Sequence, residues 1–251
     1  MKIFFSSFFG VLAALFFLIL LGVGLASIPV ETPEIESNTT LLVRLDGVIQ
    51  DRPTNSLALL NELFDQPTPI SLTETLLALD AAAQDDRITA VRMELGLMDL
   101  GYASIQELRS AIQALKERGK EVHVYAKVYS QKMAYLARSA SKVYIAPGGL
   151  VEFSGLSASP LYFKGALDKL GVKAHLIRGS DNIYKSAGEP FIAEEMSEAN
   201  RRQIQERLQS LFAGIMGDLY RDGLDTAALN ARILENPLFS PEDALAIGLV
   251  D

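Results

Sequence analysis

The chain has 251 residues, of which 49% are hydrophobic, and a formal net charge of −8 at pH 7. This acidic balance, without any basic stripe, argues against nucleic acid as a partner. The sequence has no cysteine and two histidines, His123 and His175. Disulfides and cysteine nucleophiles are therefore excluded, and neither a metal nor another cofactor is expected.

The N-terminal segment is apolar and uncharged from residue 3 to residue 28. It is longer than the roughly 7–15 apolar residues of a cleaved signal peptide and reaches the roughly 20 that span a bilayer. We predict that residues 1–28 are a cytoplasmic N-terminus and one transmembrane helix, although small residues near the end leave cleavage open. Lys2 before the span and Glu31 after it place the rest of the chain outside the cytoplasm.

The next segments alternate in character along the chain. Residues 29–40 are rich in proline, glutamate and small polar residues, which predicts an extended linker. In residues 41–251, runs typical of strands alternate with helical periodicity, which predicts parallel βαβ units in an α/β domain. The predicted strands are 41–45, 88–95, 122–126, 143–146 and 172–177, and the predicted helices are 71–84, 104–118, 132–141 and 160–170.

After Lys185 the pattern becomes helical throughout. Residues 197–221 carry an apolar stripe at helical spacing, which predicts one long amphipathic helix. Two shorter helices are predicted at 226–234 and 241–247. The α/β domain is therefore expected to end in a C-terminal helical extension.

Three stretches resemble the signal peptide peptidase A (protease IV) family. Residues 183–191, IYKSAGEPF, are similar to the specific segment around the catalytic lysine of that family, and residues 129–147 and 240–251 support the match. The resemblance implies a ClpP/crotonase-like fold. It also implies a homo-oligomeric serine peptidase that degrades signal peptides at the bacterial inner membrane, with one transmembrane helix and its domain on the periplasmic side.

Lys185 matches the general base of the family. A serine hydroxyl is a weak nucleophile near pH 7 and needs a base, and a neutral lysine serves in Ser-Lys variants of the catalytic triad. Burial against apolar groups favours the neutral amine. Ser186 is expected to hydrogen-bond within the site, and Glu189 to orient the lysine, to bind a substrate amine or to form a surface ion pair. The apolar wall is expected from Ile183, Tyr184, Ala187 and Phe191.

The serine nucleophile of the family is missing. In short family members the serine opens a helix in an S-G-G-x-Y turn, and the matching position here is Gln131, followed by Lys132 and Met133 in place of glycines. Ser130 lies one residue early, so we predict a helix N-cap there rather than a nucleophile.

The loop that would supply oxyanion N–H groups, residues 95–101, retains only Gly96 and Gly101, which is weak support for two aimed donors. The long form of the family has two tandem copies. The N-terminal copy supplies the lysine, the C-terminal copy supplies the serine, and the site closes between subunits. The chain resembles the N-terminal copy alone, as a fragment, half of a split gene or a truncated product. We therefore expect the serine to come from a missing C-terminal half or a partner.

Two other classes of function remain open. A non-catalytic scaffold that assembles into a ring and binds hydrophobic peptides would have the same fold. Acyl-CoA chemistry of the crotonase type shares only the fold and would need paired oxyanion donors with acidic acid/base residues. The predicted membrane anchor argues against the second class.

Overall fold

The chain is described here from a computed structural model that covers residues 2–26, 34–52, 69–177, 179 and 182–251. It divides into two units, residues 1–36 and residues 37–251, which are taken separately. Of the predicted linker, residues 29–33 lie outside the described residues. The predicted domain limits stay predictions.

The first unit contains helix α1, Lys2–Ala26. The large side chains described in it, between Phe8 and Leu21, are apolar and exposed. Among the residues that the structure describes, no helix is both long enough and apolar enough to cross a membrane. The transmembrane helix expected from the sequence therefore remains a prediction.

The second unit is built on a sheet of six strands within the described residues, in the order β2-β1-β3-β4-β5-β6. Neighbouring strands from β2 through β5 are parallel, and β6 runs antiparallel to β5. This confirms the predicted α/β class with parallel βαβ units. The strands are β1 Thr39–Gln50, β2 Ile70–Ser71, β3 Ile88–Asp99, β4 Glu121–Tyr129, β5 Lys142–Glu152 and β6 Leu238–Phe239.

The helices connect these strands and then form the C-terminal extension that the sequence predicts. Helix α2 begins after Ser71, whose hydroxyl accepts a hydrogen bond from the N–H of Glu74 at 3.1 Å, as the predicted helix start requires. The helices of this unit are α2 Leu72–Gln84, α3 Tyr102–Glu117, α4 Gln131–Ala137, α5 Lys164–Lys169, α6 Glu189–Ile192, α7 Glu198–Arg221, α8 Thr226–Glu235 and α9 Pro241–Ala246.

The core follows the period-2 alternation of the strands. Val91 and Met93 of β3 and Val124 of β4 are fully buried, as are Leu79 of α2 and Ile105 of α3. Burying each of these side chains stabilises the fold by about 1.5–3 kcal/mol. The intervening strand residues are more exposed and include the charged residues Arg92 and Glu94, so one face of β3 is packed more closely than the other.

One predicted element is absent, and two helices have other bounds than predicted. Residues 172–177 form no strand, because Ile177 is 97% exposed and β6 already pairs with the edge of β5 where a further strand would add. Helix α3 begins at Tyr102 after Gly101, not at Ser104, and Gly101 has no side chain to cap it. The helix expected over residues 160–170 is reduced to α5, which has no buried residue and so gains little from packing.

Candidate active site

The site expected from the sequence begins where β4 ends. Ser130 is the N-cap of α4, with φ −71° and ψ 163°, and its hydroxyl accepts a hydrogen bond from the N–H of Met133 at 3.4 Å. The N-cap predicted at Ser130 is thereby confirmed. Its hydroxyl is directed at the backbone of its own helix, which is a structural role.

Gln131, the first residue of α4, fills the position of the expected nucleophile. Its side chain is inside the protein, with the residue 7% exposed. The amide oxygen Oε1 accepts hydrogen bonds from the N–H of Ser154 at 3.0 Å and the N–H of Gly155 at 2.7 Å. The amide nitrogen Nε2 donates to the hydroxyl of Tyr102 at 2.8 Å. Both ends of the carboxamide are therefore occupied by this chain.

Two residues that the sequence did not single out complete this cluster, Tyr102 and Asp99. Burial raises the pKa of the Tyr102 phenol, against the opposite effect of its hydrogen bond with Gln131. The phenol therefore stays neutral near pH 7. The ammonium group of Lys132 lies 3.7 Å from the carboxylate of Asp99 and 5.8 Å from the centre of the Tyr102 ring. No sequence pattern marks Tyr102 or Asp99, because strand β3 and helix α3 bring them to this edge only in the folded chain.

The two glycines of the expected oxyanion loop lie in a strand and at the start of a helix. Gly96 lies inside β3, and a Cβ atom there would meet Oδ1 of Asp46 at 2.2 Å, so no larger residue fits beside β1. Gly101 is the N-cap of α3. Residues 95–99 of the expected oxyanion loop belong to strand β3, and the role of these glycines as donors stays a prediction.

The lysine motif begins in the surface segment after α5 and ends within α6. Lys185 is exposed, and its backbone N–H donates to the carbonyl of Asn182 at 3.1 Å. Ile183 and Tyr184 are also exposed, and the Phe191 ring stacks on the Phe163 ring with centroids 5.9 Å apart. The apolar wall expected around Lys185 is therefore not closed within the described part of this single chain.

Two neighbours of Lys185 were expected to support it. Ser186 is half-buried, and its backbone N–H donates to the carbonyl of Tyr184 at 3.2 Å. Its carbonyl accepts a hydrogen bond from the N–H of Glu189 at 2.9 Å, so the motif is folded into successive turns. The role of Ser186 in the site stays a prediction.

Glu189 is 4% exposed, so its side chain is buried. Its carboxylate accepts hydrogen bonds from the Ser197 hydroxyl at 2.5 Å, the Ser197 N–H at 3.3 Å and Nδ2 of Asn200 at 3.0 Å. These contacts attach the lysine motif to the first turn of α7. Glu189 therefore holds the motif in place by contacts that act at a helix N-terminus, where a carboxylate is favoured.

A binding site for a metal ion would need several ligating side chains together. Within the described ranges, no group of three or more His, Asp or Glu side chains could hold a metal ion.

Comparison with known proteins places these features in a family. Peptidase family S49 matches residues 114–251, more than half of the chain. Protease 4 of Salmonella typhi is 32% identical over 217 residues, covering 83% of this chain and 34% of that protein. Protease 4 of Haemophilus influenzae is 34% identical over 182 residues, covering 70% and 29%.

Among solved structures, a membrane-bound stomatin-specific protease aligns with a TM-score of 0.47 and 16% identity, over 86% of this chain and 79% of that chain. Similarity at this level supports no conclusion about the site. The chain spans about a third of the length of the Protease 4 relatives. Because the family match covers more than half of the sequence, the chain belongs to Peptidase family S49, as its resemblance to signal peptide peptidase A predicted.

Proposed function

We propose that this chain is the lysine-bearing part of a membrane-bound serine peptidase that degrades signal peptides, with Lys185 as its general base. The observation that carries the proposal is the contrast between two positions. The lysine motif is complete at residues 183–191, whereas the nucleophile position holds Gln131 with both ends of its amide occupied. A serine from a C-terminal half or a partner subunit would then complete the dyad.

The chemistry of such a dyad balances without a cofactor. The neutral amine of Lys185 takes the proton of the serine hydroxyl as its oxygen attacks the scissile carbonyl. The ammonium group then returns that proton to the leaving nitrogen, and the peptide bond breaks to give an acyl-enzyme. Water, deprotonated by the same amine, releases the acid and restores the serine.

The exposure of the lysine segment supports a site that is shared between chains. Ile183 and Tyr184 are each about half exposed beside Lys185. Covering these side chains with a second subunit would remove water from the amine and favour its neutral form. We therefore propose a homo-oligomer in which a neighbouring subunit supplies the apolar wall that the single chain does not close.

We also propose that residues 3–28 anchor the chain in the bacterial inner membrane, with the second unit on the periplasmic side. The length of the uncharged run and the order of Lys2 and Glu31 support this placement. Alkaline carbonate extraction of membranes tests the anchor. Release of the chain into the supernatant would contradict it.

The experiment that tests the catalytic proposal is a chimera. This chain replaces the region of Salmonella typhi Protease 4 that it matches, and turnover of a fluorogenic apolar peptide is measured. We expect the chimera to be active, the Lys185→Met chimera to be at least about 100-fold slower, and the exposed control Lys173→Met to match the unaltered chimera. The chain alone should be inactive, and turnover by the chain alone that depends on Lys185 would contradict a divided site.

A non-catalytic scaffold is the second candidate, and the occupied amide of Gln131 favours it because no nucleophile stands there. The two candidate functions predict different results for the same chimera. A chimera that assembles and binds the peptide without Lys185-dependent turnover would support the scaffold and reject the peptidase.

A further inference from the structure

The carboxamide of Gln131 is held as a peptide group would be. Its oxygen receives two successive backbone N–H groups, from Ser154 and Gly155, and its nitrogen donates to Tyr102. Gly155 has φ +83°, in the left-handed region that favours glycine. Successive N–H groups in such a turn form a concave site for a negatively polarised oxygen.

A groove lies beside the turn formed by Ser154 and Gly155. Ser154 and Gly155 also line a groove of about 470 Å³ between the segment after β5 and helices α7 and α8. Its walls are largely apolar and include Leu156, Leu208 and Phe212. The turn whose N–H groups hold the Gln131 oxygen therefore also borders this groove.

We propose that Ser154, Gly155 and Tyr102 form a subsite for an amide group, and that Gln131 closes this subsite with its own side chain. The chemical class of ligand is a carboxamide, as in a peptide group, because the subsite offers two N–H donors to the oxygen and one hydroxyl acceptor to the nitrogen. This inference goes beyond the proposed function. It does not involve Lys185 and would stand if Lys185 were not a base.

The experiment is a chemical rescue with acetamide. Gln131→Ala removes two carbons, one oxygen and one nitrogen, the same heavy atoms that acetamide contains. Gln131→Met is the matched control, since it fills the space with an apolar chain and leaves the two N–H groups without an acceptor. Melting temperatures of the full chain in detergent are measured for the unaltered protein and both variants, with and without acetamide.

We expect both variants to melt about 4–8 °C below the unaltered chain, because buried donors lose their acceptor. Acetamide at about ten times its dissociation constant should raise the melting temperature of Gln131→Ala by about 3–5 °C relative to the other two proteins. An equal response of all three proteins would overturn the proposal.

If Gln131→Ala does not fold, the exchange of the Gly155 amide hydrogen provides a second test. In the unaltered chain this hydrogen should exchange slowly, and in Gln131→Met it should exchange at least about tenfold faster, since its hydrogen bond is lost. Unchanged protection in Gln131→Met would show that Gln131 does not occupy the two N–H groups, which would overturn the proposal.

Discussion

The hydroxyl of Ser197 donates a hydrogen bond of 2.5 Å to the buried carboxylate of Glu189. Glu189 belongs to the lysine motif, and Ser197 caps helix α7 through the N–H of Asn200 at 3.2 Å. One buried carboxylate therefore links the segment that carries Lys185 to the long helix of the C-terminal extension.

Substitution of Glu189 by alanine tests this link. Glu189→Ala leaves the Ser197 and Asn200 donors without an acceptor, so we expect a loss of about 1–3 kcal/mol in the free energy of unfolding. Urea denaturation measures it, and hydrogen exchange should accelerate in residues 183–192. The exposed neighbour Glu195→Ala is the control. A loss no larger than that of the control would contradict the anchoring role of Glu189.

Replacing Ser130 separates a cap from a nucleophile. The Ser130 hydroxyl makes one long cap bond, at 3.4 Å, so Ser130→Ala should cost about 0.5–1 kcal/mol of stability. Turnover by the Protease 4 chimera should be unchanged in this variant. A loss of turnover without a matching loss of folded protein would make Ser130 a reacting group.

Arg109 holds the end of α7 against the core. Its guanidinium lies 2.7 Å from the carboxylate of Asp222, with 10% and 16% of the two side chains exposed, and it stacks 4.2 Å above the Tyr135 ring. Arg109→Ala leaves Asp222 nearly buried without its partner, so we expect a loss of about 3–5 kcal/mol in urea denaturation. In the exposed pair of Arg44 and Glu94, Arg44→Ala should cost less than about 1 kcal/mol. Equal losses of stability in Arg109→Ala and Arg44→Ala would contradict the expectation that the more buried ion pair contributes more.

Ionisation of Tyr135 is expected to lower the stability of the fold at alkaline pH. Burial, together with the hydrogen bond that its hydroxyl donates to Asp218, raises the pKa of Tyr135 to about 12. Below about pH 10 the folded and unfolded chains both hold this proton, so its contribution to stability does not change. Between about pH 10 and 12 only the unfolded chain releases it, so stability falls as pH rises.

The measurement is urea denaturation from pH 9 to 12 with Tyr135→Phe as the comparison. The variant should lose less stability over this range than the unaltered chain. It should still lose some, because burial also raises the pKa of Tyr129. Parallel pH profiles for the two proteins would show that Tyr135 does not titrate differently in the folded chain.

Local patterns predicted the parts of the fold where sequence and burial agree. The helices predicted to begin at residues 71, 197 and 241 are present, and Ser71, Ser197 and Ser240 cap them by accepting backbone hydrogen bonds. The strand predicted at residues 172–177 is wrong, because an apolar run is typical of a strand even where no sheet edge is free to pair with it. β6, only two residues long and distant in sequence, takes that edge.

Residues of the candidate site could be predicted only where they belong to one contiguous sequence motif. Lys185 and Ser130 were found from contiguous motifs, and the Ser130 cap is confirmed. The contacts of Gln131 come from Tyr102, Ser154 and Gly155, which lie more than 20 residues away and share no pattern. The sequence leaves three roles open for Glu189, because its partners Ser197 and Asn200 come close to it only in the folded chain.

Labelling with a fluorophosphonate tests most directly whether Lys185 serves a serine from outside this chain. In the Protease 4 chimera the probe should attach to a serine of the Protease 4 portion, and Lys185→Met should slow labelling at least about 100-fold, whereas Lys173→Met should not change it. Labelling of a serine within residues 1–251, or labelling at full rate in Lys185→Met, would contradict the divided Ser-Lys site.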